Sequence, residues 1–417
     1  MEKRTHSGTI ATVDTLRIGF ITGEYPPMQG GVGAYTQELA RALLDLGHRI
    51  HILTTGTRGV TAPLDEEGLA IHRAVPAWGF TCQGTVRRWL ASVAPDVVSL
   101  QYEPAAFAMR GGANFIPRFF RGGPPIAVTF HDLLPPYLFP KAGPLRTWSV
   151  RQMARHADAC VVTNLADEQS LCRDLGARGP DVQRIPIGSN IATGLPADYS
   201  RERTLARYDL SPHDEVVGFF GFLNRSKGIE TLLRALQALR ATGRSTHLLL
   251  IGGRTGSSDA ANVRYAGEVD RLIDDLGLAA RVHRTGFIDG ADVSAALTAV
   301  DVCALPYRDG VNLRRGTLHA ALAHGCAIVT TQADGPADDL EGAVLLVRPE
   351  DPAALAKAIA TLVDDDDLRG RCAEAAEALA GRFSWPRIAC EFADVLWTIV
   401  GRHRPPEGAG HARETPA

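Results

Sequence analysis

Several kinds of chemistry are missing from this 417-residue chain. Its 13 histidines include no HExxH, and no compact carboxylate cluster sits in a strand-end loop, so a metal cage has no sequence support. The acidic run Asp364–Asp367 falls between helical segments and reads as a solvated turn. No GxSxG occurs, which removes the esterase-type elbow. Seven cysteines (82, 160, 172, 303, 326, 372, 390) form no CxxC pair and read as reduced thiols packed as small hydrophobes. A reducing, cytoplasmic compartment is therefore expected. Neither charge predominates: 44 Lys+Arg against 47 Asp+Glu leave −3, which argues against bulk nucleic-acid binding. No apolar run approaches the ~18 residues of a membrane span. Residues 1–15 are polar and threonine-rich, without the apolar centre of a secretory signal, and are expected to be flexible.

What is present is alternation. Short apolar runs at Leu16–Ile21, Arg49–Leu53, Asp96–Leu100, Ile126–Phe130 and Ala159–Val162 are separated by amphipathic helical stretches. In the first such stretch Tyr35, Leu39, Ala42, Leu43 and Leu46 recur at helical spacing before Gly47. The pattern fades over 196–211. It resumes with Glu215–Phe220, His247–Ile251, Arg281–Arg284, Val302–Leu305, Ala327–Val329 and Val344–Val347. Strands alternating with helices imply parallel sheets covered on both faces. The expected architecture is α/β, with two doubly wound Rossmann-like domains (16–195 and 212–383) facing across a cleft and joined by a linker at 196–211. The amphipathic segment 384–400, with Ser384 as a candidate N-cap, is expected to cross back to the first domain. Residues 402–417 read as a disordered tail.

Four segments place chemistry at strand ends. Gly30–Gly33 (GGVG) lies between the first strand and the first helix, where glycines permit close approach and a helix N-terminus suits an anion. It lacks the third glycine of a dinucleotide fingerprint. His131 and Asp132 end a strand, and His131 is suited to hydrogen-bond a sugar hydroxyl or to move a proton near neutral pH. In FGFLNRSKG (220–228), Arg225 and Lys227 precede a helix N-terminus. In AVDVCALPYRDGVNLRRGTLHAALAHGCAIVTT (299–331), Arg314 and Arg315 precede Gly316 and an alanine-rich helix, a credible diphosphate site. Glu103 in LQYEP and Asn190 in PIGSN follow strand-like runs and are candidates for lining the cleft. Each also admits a plain reading: a flexible strand–helix turn at Gly30–Gly33, a structural cap of the strand–loop junction at His131, solvated cations at Arg225, Lys227, Arg314 and Arg315, and surface loops at Glu103 and Asn190.

Taken in order, EYPPMQGGVGAYTQELARALLDLGHRIHILT, VTFHD, PIGSN, GFLNRSKGIETLLRAL, TGFIDGADVSAALTAVDVCALPY, LHAALAHGCAIVTT and FSWPRIACEF resemble a retaining glycosyltransferase of family 4, which has the GT-B fold. The resemblance runs from about Leu16 to Val400. It implies transfer of a hexose-type sugar from a nucleotide-sugar co-substrate to an acceptor hydroxyl, without a metal or other cofactor and without a protein nucleophile. Implied catalytic residues are His131, Lys227 and Asp309. Implied donor contacts are Gly31, Gly33, Arg225, Phe287, Arg314, Arg315, Thr317, Leu318 and His319. Glu103, Asp132 and Asn190 fall on the acceptor side. The chain departs from the family pattern where two glutamates are usual, because Val311 and His319 stand there. His319 retains hydrogen-bonding capacity, and Asp309 is the nearest substitute for the acid lost at Val311. Phe222 replaces a usual arginine, and Arg314 or Arg315 restores the charge. The alternative reading is a non-catalytic sugar- or nucleotide-binding protein, or a pseudo-glycosyltransferase, on the same fold.

The acceptor is left open between a sugar, a lipid-linked and a small-molecule compound. Residues 110–155 hold seven Lys+Arg and one acid, Asp132, interleaved with Phe115, Ile116, Phe119 and Phe120. Such a face suits a phosphorylated or lipid-linked acceptor, or peripheral contact with the inner face of a membrane. It equally suits a buried helix face with solvated cations.

Overall fold

The computed structural model describes residues 15–28, 30–56, 67–133, 143–254, 260–333, 340 and 342–403. The expected flexible N-terminus, apart from Thr15, and the tail beyond His403 lie outside these residues, as does the stretch 134–142 of the basic face.

The first domain is a seven-stranded parallel sheet built from β1 (Arg17–Thr22), β2 (Arg49–Thr55), β3 (Leu69–Val75), β4 (Val97–Tyr102), β5 (Ile126–Phe130), β6 (Ala159–Val162) and β7 (Asp181–Arg184), in the order β3-β2-β1-β4-β5-β6-β7. The second is a six-stranded parallel sheet of β8 (Glu215–Phe220), β9 (Thr246–Ile251), β10 (Val282–Gly286), β11 (Val302–Leu305), β12 (Ile328–Thr331) and β13 (Val344–Val347), in the order β10-β9-β8-β11-β12-β13. β4, β5 and β6 are buried along their whole length, as strands covered by helices on both faces must be. Two strands were not anticipated. β7 reads DVQR and is largely exposed, so it carries no apolar signature. β3 mixes His72 and Arg73 into its apolar residues.

Strand order reverses between β1 and β4 in one sheet and between β8 and β11 in the other. Helices leaving these neighbours go to opposite faces, which opens a crevice at the carboxyl ends of the strands. The loops after β1, β4, β8 and β11 carry Gly30–Gly33, Glu103, Lys227 and Asp309–Thr317 respectively.

The helix Trp385–His403 returns to the first domain, as expected. Ile388, Phe392, Leu396 and Ile399 pack with Ile18 and Phe20 of β1 and with Tyr35 and Leu39 of the helix Gly31–Asp45. Phe392 stacks on Phe20 at 6.3 Å between centroids. This helix includes Arg402 and His403, so the chain is ordered two residues past the expected start of the tail. The expected linker also holds structure. Arg201–Ala206 is a helix capped by Ser200, its Leu205 is buried in the second domain's core, and Arg201 forks onto Asp301 at 2.9 and 3.0 Å.

Candidate functional site

The first-domain wall begins at β1. Glu24 folds back on the helix Gly31–Asp45, and its Oε1 accepts the backbone N–H groups of Val32 at 3.0 Å and Gly33 at 3.1 Å. The helix end expected to receive a ligand's anion is thus filled by the chain's own carboxylate, which the macrodipole favours equally. Gly30 makes this possible, since a Cβ there would lie 2.1 Å from the Glu24 oxygens. Burial raises the Glu24 pKa; the Gly33 N–H works against this and nearby Glu103 adds to it. Burial also raises Glu103, whose Oε2 accepts Ala106 N–H at 2.7 Å. Glu24 was not singled out in the sequence; its only signal is an acid shortly ahead of a glycine-rich helix start.

His131 lies in the same wall. Its Nε2 pairs with Gln101 Oε1 at 2.9 Å, and Gln101 Nε2 donates to Ser99 and Thr129, so the imidazole Nε2 is the donor. Tyr35 packs edge-on against the ring at 4.6 Å. Burial pushes His131 down to about 3, so it is neutral at pH 7. That suits a hydrogen-bonding role and not the proton movement near neutrality considered above.

The second-domain wall is cationic. Lys227 reaches back over Gly221, whose φ is +116° and where a Cβ would lie 2.1 Å from Lys227 Nζ. Burial and the neighbouring Arg315 push Lys227 down to about 7. Arg315 lies over the Tyr307 ring at 4.7 Å and pairs with Asp309. Arg314 bonds Asp309 at 3.2 Å and, across the cleft, Asp132 at 3.2 Å. Both arginines are largely buried and precede the helix Gly316–Ala323, which no side chain caps. Thr317 Oγ1 bonds Tyr307 Oη at 2.7 Å.

Other anticipated donor contacts fall elsewhere. Leu318 is fully buried in the core, so its side chain is unavailable to a ligand. Arg225 pairs with Glu268 and stacks on Tyr265 at 5.1 Å. Phe287 is exposed, next to β10. Val311 is buried in the core, so no polar function persists there. His319 is also buried. Its Nε2 bonds Leu313 O at 2.8 Å, Nδ1 has no partner among the described residues, and burial holds it near pKa 4.

The two walls enclose a cleft of about 390 Å³. Gly31, Glu103, His131, Asn190 and Arg314 all line it, together with Glu24, Tyr35, Phe222, Gly316 and Trp385. Acids and a neutral imidazole stand on one side, and Arg314 with the start of the helix Gly316–Ala323 on the other, while Lys227, Arg315, Asp309 and Thr317 lie behind that wall and are not among the lining residues. That polarity suits an anionic group held by the second domain and a hydroxyl presented by the first.

Two parallel-sheet domains with their switch points facing one cleft have the GT-B architecture. The solved structures agree. Sucrose-phosphate synthase from Thermosynechococcus elongatus superposes with a TM-score of 0.74 at 20% identity, covering 92% of this chain and 99% of that one. Anabaena Alr3699/HepE in complex with UDP and glucose gives 0.73 at 22% identity, covering 92% and 100%. Two family models match in tandem, a glycosyl transferase 4-like domain over residues 30–188 and a glycosyl transferases group 1 domain over 214–365. The chain belongs to the glycosyltransferases of family 4. Among curated relatives, D-inositol 3-phosphate glycosyltransferase of Corynebacterium diphtheriae is 27% identical over 90% of this chain and 93% of its own length. Phosphatidyl-myo-inositol mannosyltransferase of Mycolicibacterium smegmatis is 26% identical over 93% and 95%. The match to the Corynebacterium kroppenstedtii D-inositol 3-phosphate glycosyltransferase, at 28% identity, spans 59% of this chain and only 54% of that protein.

Proposed function

We propose that the chain transfers a hexose-type sugar from a nucleotide-sugar to an acceptor hydroxyl with retention of configuration and without a metal. The observation that carries this reading is the crowding of Lys227 and Arg315 beside Arg314 at an uncapped helix N-terminus. Two basic groups held so close that one lowers the other's pKa are stabilised by a shared anion, and a diphosphate fits that need. When it binds, it competes with Asp309 for both arginines and frees that carboxylate beside the sugar, where Val311 offers nothing. In the transfer, the bond from the sugar's anomeric carbon to the diphosphate oxygen breaks. The acceptor oxygen bonds that carbon on the same face, and its proton passes to the leaving diphosphate. Lys227, the arginines and the helix dipole stabilise the charge that develops on the leaving group. His131, neutral and fixed by Gln101, donates or accepts a hydrogen bond at a sugar or acceptor hydroxyl, while Glu103, Asp132 and Asn190 bound the acceptor side.

Relatives named for inositol phosphate and phosphatidylinositol support a phosphorylated or lipid-linked acceptor, as does the basic face of residues 110–155. No helix among the described residues is long and apolar enough to cross a membrane; the proposed location is cytoplasmic, peripheral to the inner membrane face.

A thermal-shift panel with UDP, GDP, ADP and dTDP tests the donor site. A nucleotide at 100 times its dissociation constant adds about 2.7 kcal/mol to the state that binds it. One nucleotide should raise Tm in the wild type and not in Lys227→Ala or in the Arg314→Ala/Arg315→Ala double variant. Full affinity retained in both variants would overturn the assignment.

A further inference from the structure

A second cavity, of about 660 Å³, lies in the first domain next to the cleft. Its walls are apolar: Phe80, Met109, Phe115, Leu145 and Trp148. Phe115 lies 5.2 Å from Phe80 and 6.0 Å from Trp148 between ring centroids. Three of these side chains are unusually exposed for their type, with Phe80 at 63%, Leu145 at 68% and Trp148 at 49%. Large apolar groups left in water around a concavity favour an apolar occupant.

The cavity also has polar equipment. Buried Asn114 lines it, donating from Nδ2 to Tyr102 Oη at 3.1 Å and to Ser149 Oγ at 3.0 Å, while its Oδ1 has no partner among the described residues. Such an unmatched buried acceptor is costly unless a donor arrives. Arg110 and Arg146 also line the cavity and make it cationic. The connection to the cleft is short. Tyr102 ends β4 and lines the cavity, and Glu103, the next residue, lines the cleft. Arg146 lines the cavity only, and the charges of Glu103 and Asp132 are near enough to act on it.

We infer that this cavity holds the apolar body of the acceptor. The acceptor is then a single-tailed or ring-bearing amphiphile of drug-like size, with an anionic group at Arg146 and its sugar-accepting hydroxyl in the cleft. The volume fits one such body, and the adjoining cations select an anion over a neutral or cationic head. This rests on reading the cleft as the transfer site.

Decyl phosphate below its micelle-forming concentration is the probe, followed by tryptophan fluorescence and by thermal shift. Decanol, inorganic phosphate and anionic vesicles serve as comparisons. Wild type should bind decyl phosphate more tightly than decanol or inorganic phosphate. Leu145→Asp, at an exposed site that the fold tolerates, should lose about tenfold or more in affinity through the unpaired charge set in the apolar wall. Arg146→Ala should weaken decyl phosphate and leave decanol unchanged. Equal affinity in wild type, Leu145→Asp and Trp148→Ala overturns the proposal. So does binding to vesicles without binding to monomeric decyl phosphate, which would make the patch a membrane-contacting surface. The nucleotide panel reads the donor site separately. A nucleotide shift with unchanged decyl phosphate affinity in the variants sinks the cavity alone. Decyl phosphate binding without any nucleotide shift sinks the donor assignment alone.

Discussion

Lys227 shows how this site differs from an ordinary surface cation. Its ammonium is desolvated and faces Arg315, and its pKa falls to about 7. A diphosphate alongside it would raise that pKa toward the usual lysine range. Between pH 7 and that range the complex then binds more protons than the free protein, so binding takes up a proton. Affinity should be greatest below pH 7 and fall as pH rises past it, by up to about tenfold per unit; isothermal titration across pH 6 to 9 would show this, and a flat profile would contradict it. The same burial affects stability. The folded-state pKa lies below the unfolded one, so the charged lysine costs most below pH 7, and the cost fades as pH rises toward the unfolded pKa. Lys227→Met should therefore raise Tm at pH 6.5, by the 2–4 °C or so that about 1 kcal/mol produces in a domain of this size. The gain should narrow at pH 9, and nucleotide binding should be lost at both.

Among elements, the returning helix Trp385–His403 ties the end of the described chain to the first domain. Its apolar face seals the first domain's core, and Trp385 reaches the cleft while its Nε1 donates to Ser189 O at 2.6 Å. Phe392→Ala removes a fully buried ring stacked on Phe20 and should cost about 3–5 kcal/mol, read as a lower urea midpoint for the first domain. A loss under about 1 kcal/mol would mean that the helix is not anchored there. This helix was legible in the sequence because its apolar residues keep helical spacing. β7 was not, since an edge strand with exposed side chains has no pattern to read. The helix within the expected linker was missed because polar residues dominate Arg201–Ala206, and its anchors, Leu205 and the Arg201–Asp301 pair, are visible only in contact.

At the scale of the whole molecule, Arg314 joins the domains, bonding Asp132 in the first and Asp309 in the second. A diphosphate must compete with both carboxylates for this cation. Asp132→Asn should therefore tighten nucleotide binding, several-fold by the size of charge-assisted bonds, and calorimetry would measure it. Weaker binding in that variant would instead make the carboxylate part of the site.

The buried strands, their alternation with amphipathic helices and the glycine- and arginine-bearing helix starts were set by local sequence, whereas β3, β7 and the helix Arg201–Ala206 were not. Apolar periodicity, glycines and charges act over a few neighbouring residues, and for the same reason the chain's resemblance to family 4 was readable. Partnership was decided only by the fold. Glu24, not a ligand, caps the first glycine-rich helix; Leu318 turns into the core; His131 is fixed in a neutral state; and the acid lost at Val311 leaves Asp309 clamped between two arginines. Burial and contact between residues distant in sequence set these outcomes, because desolvation and Coulomb forces depend on what surrounds a group in space.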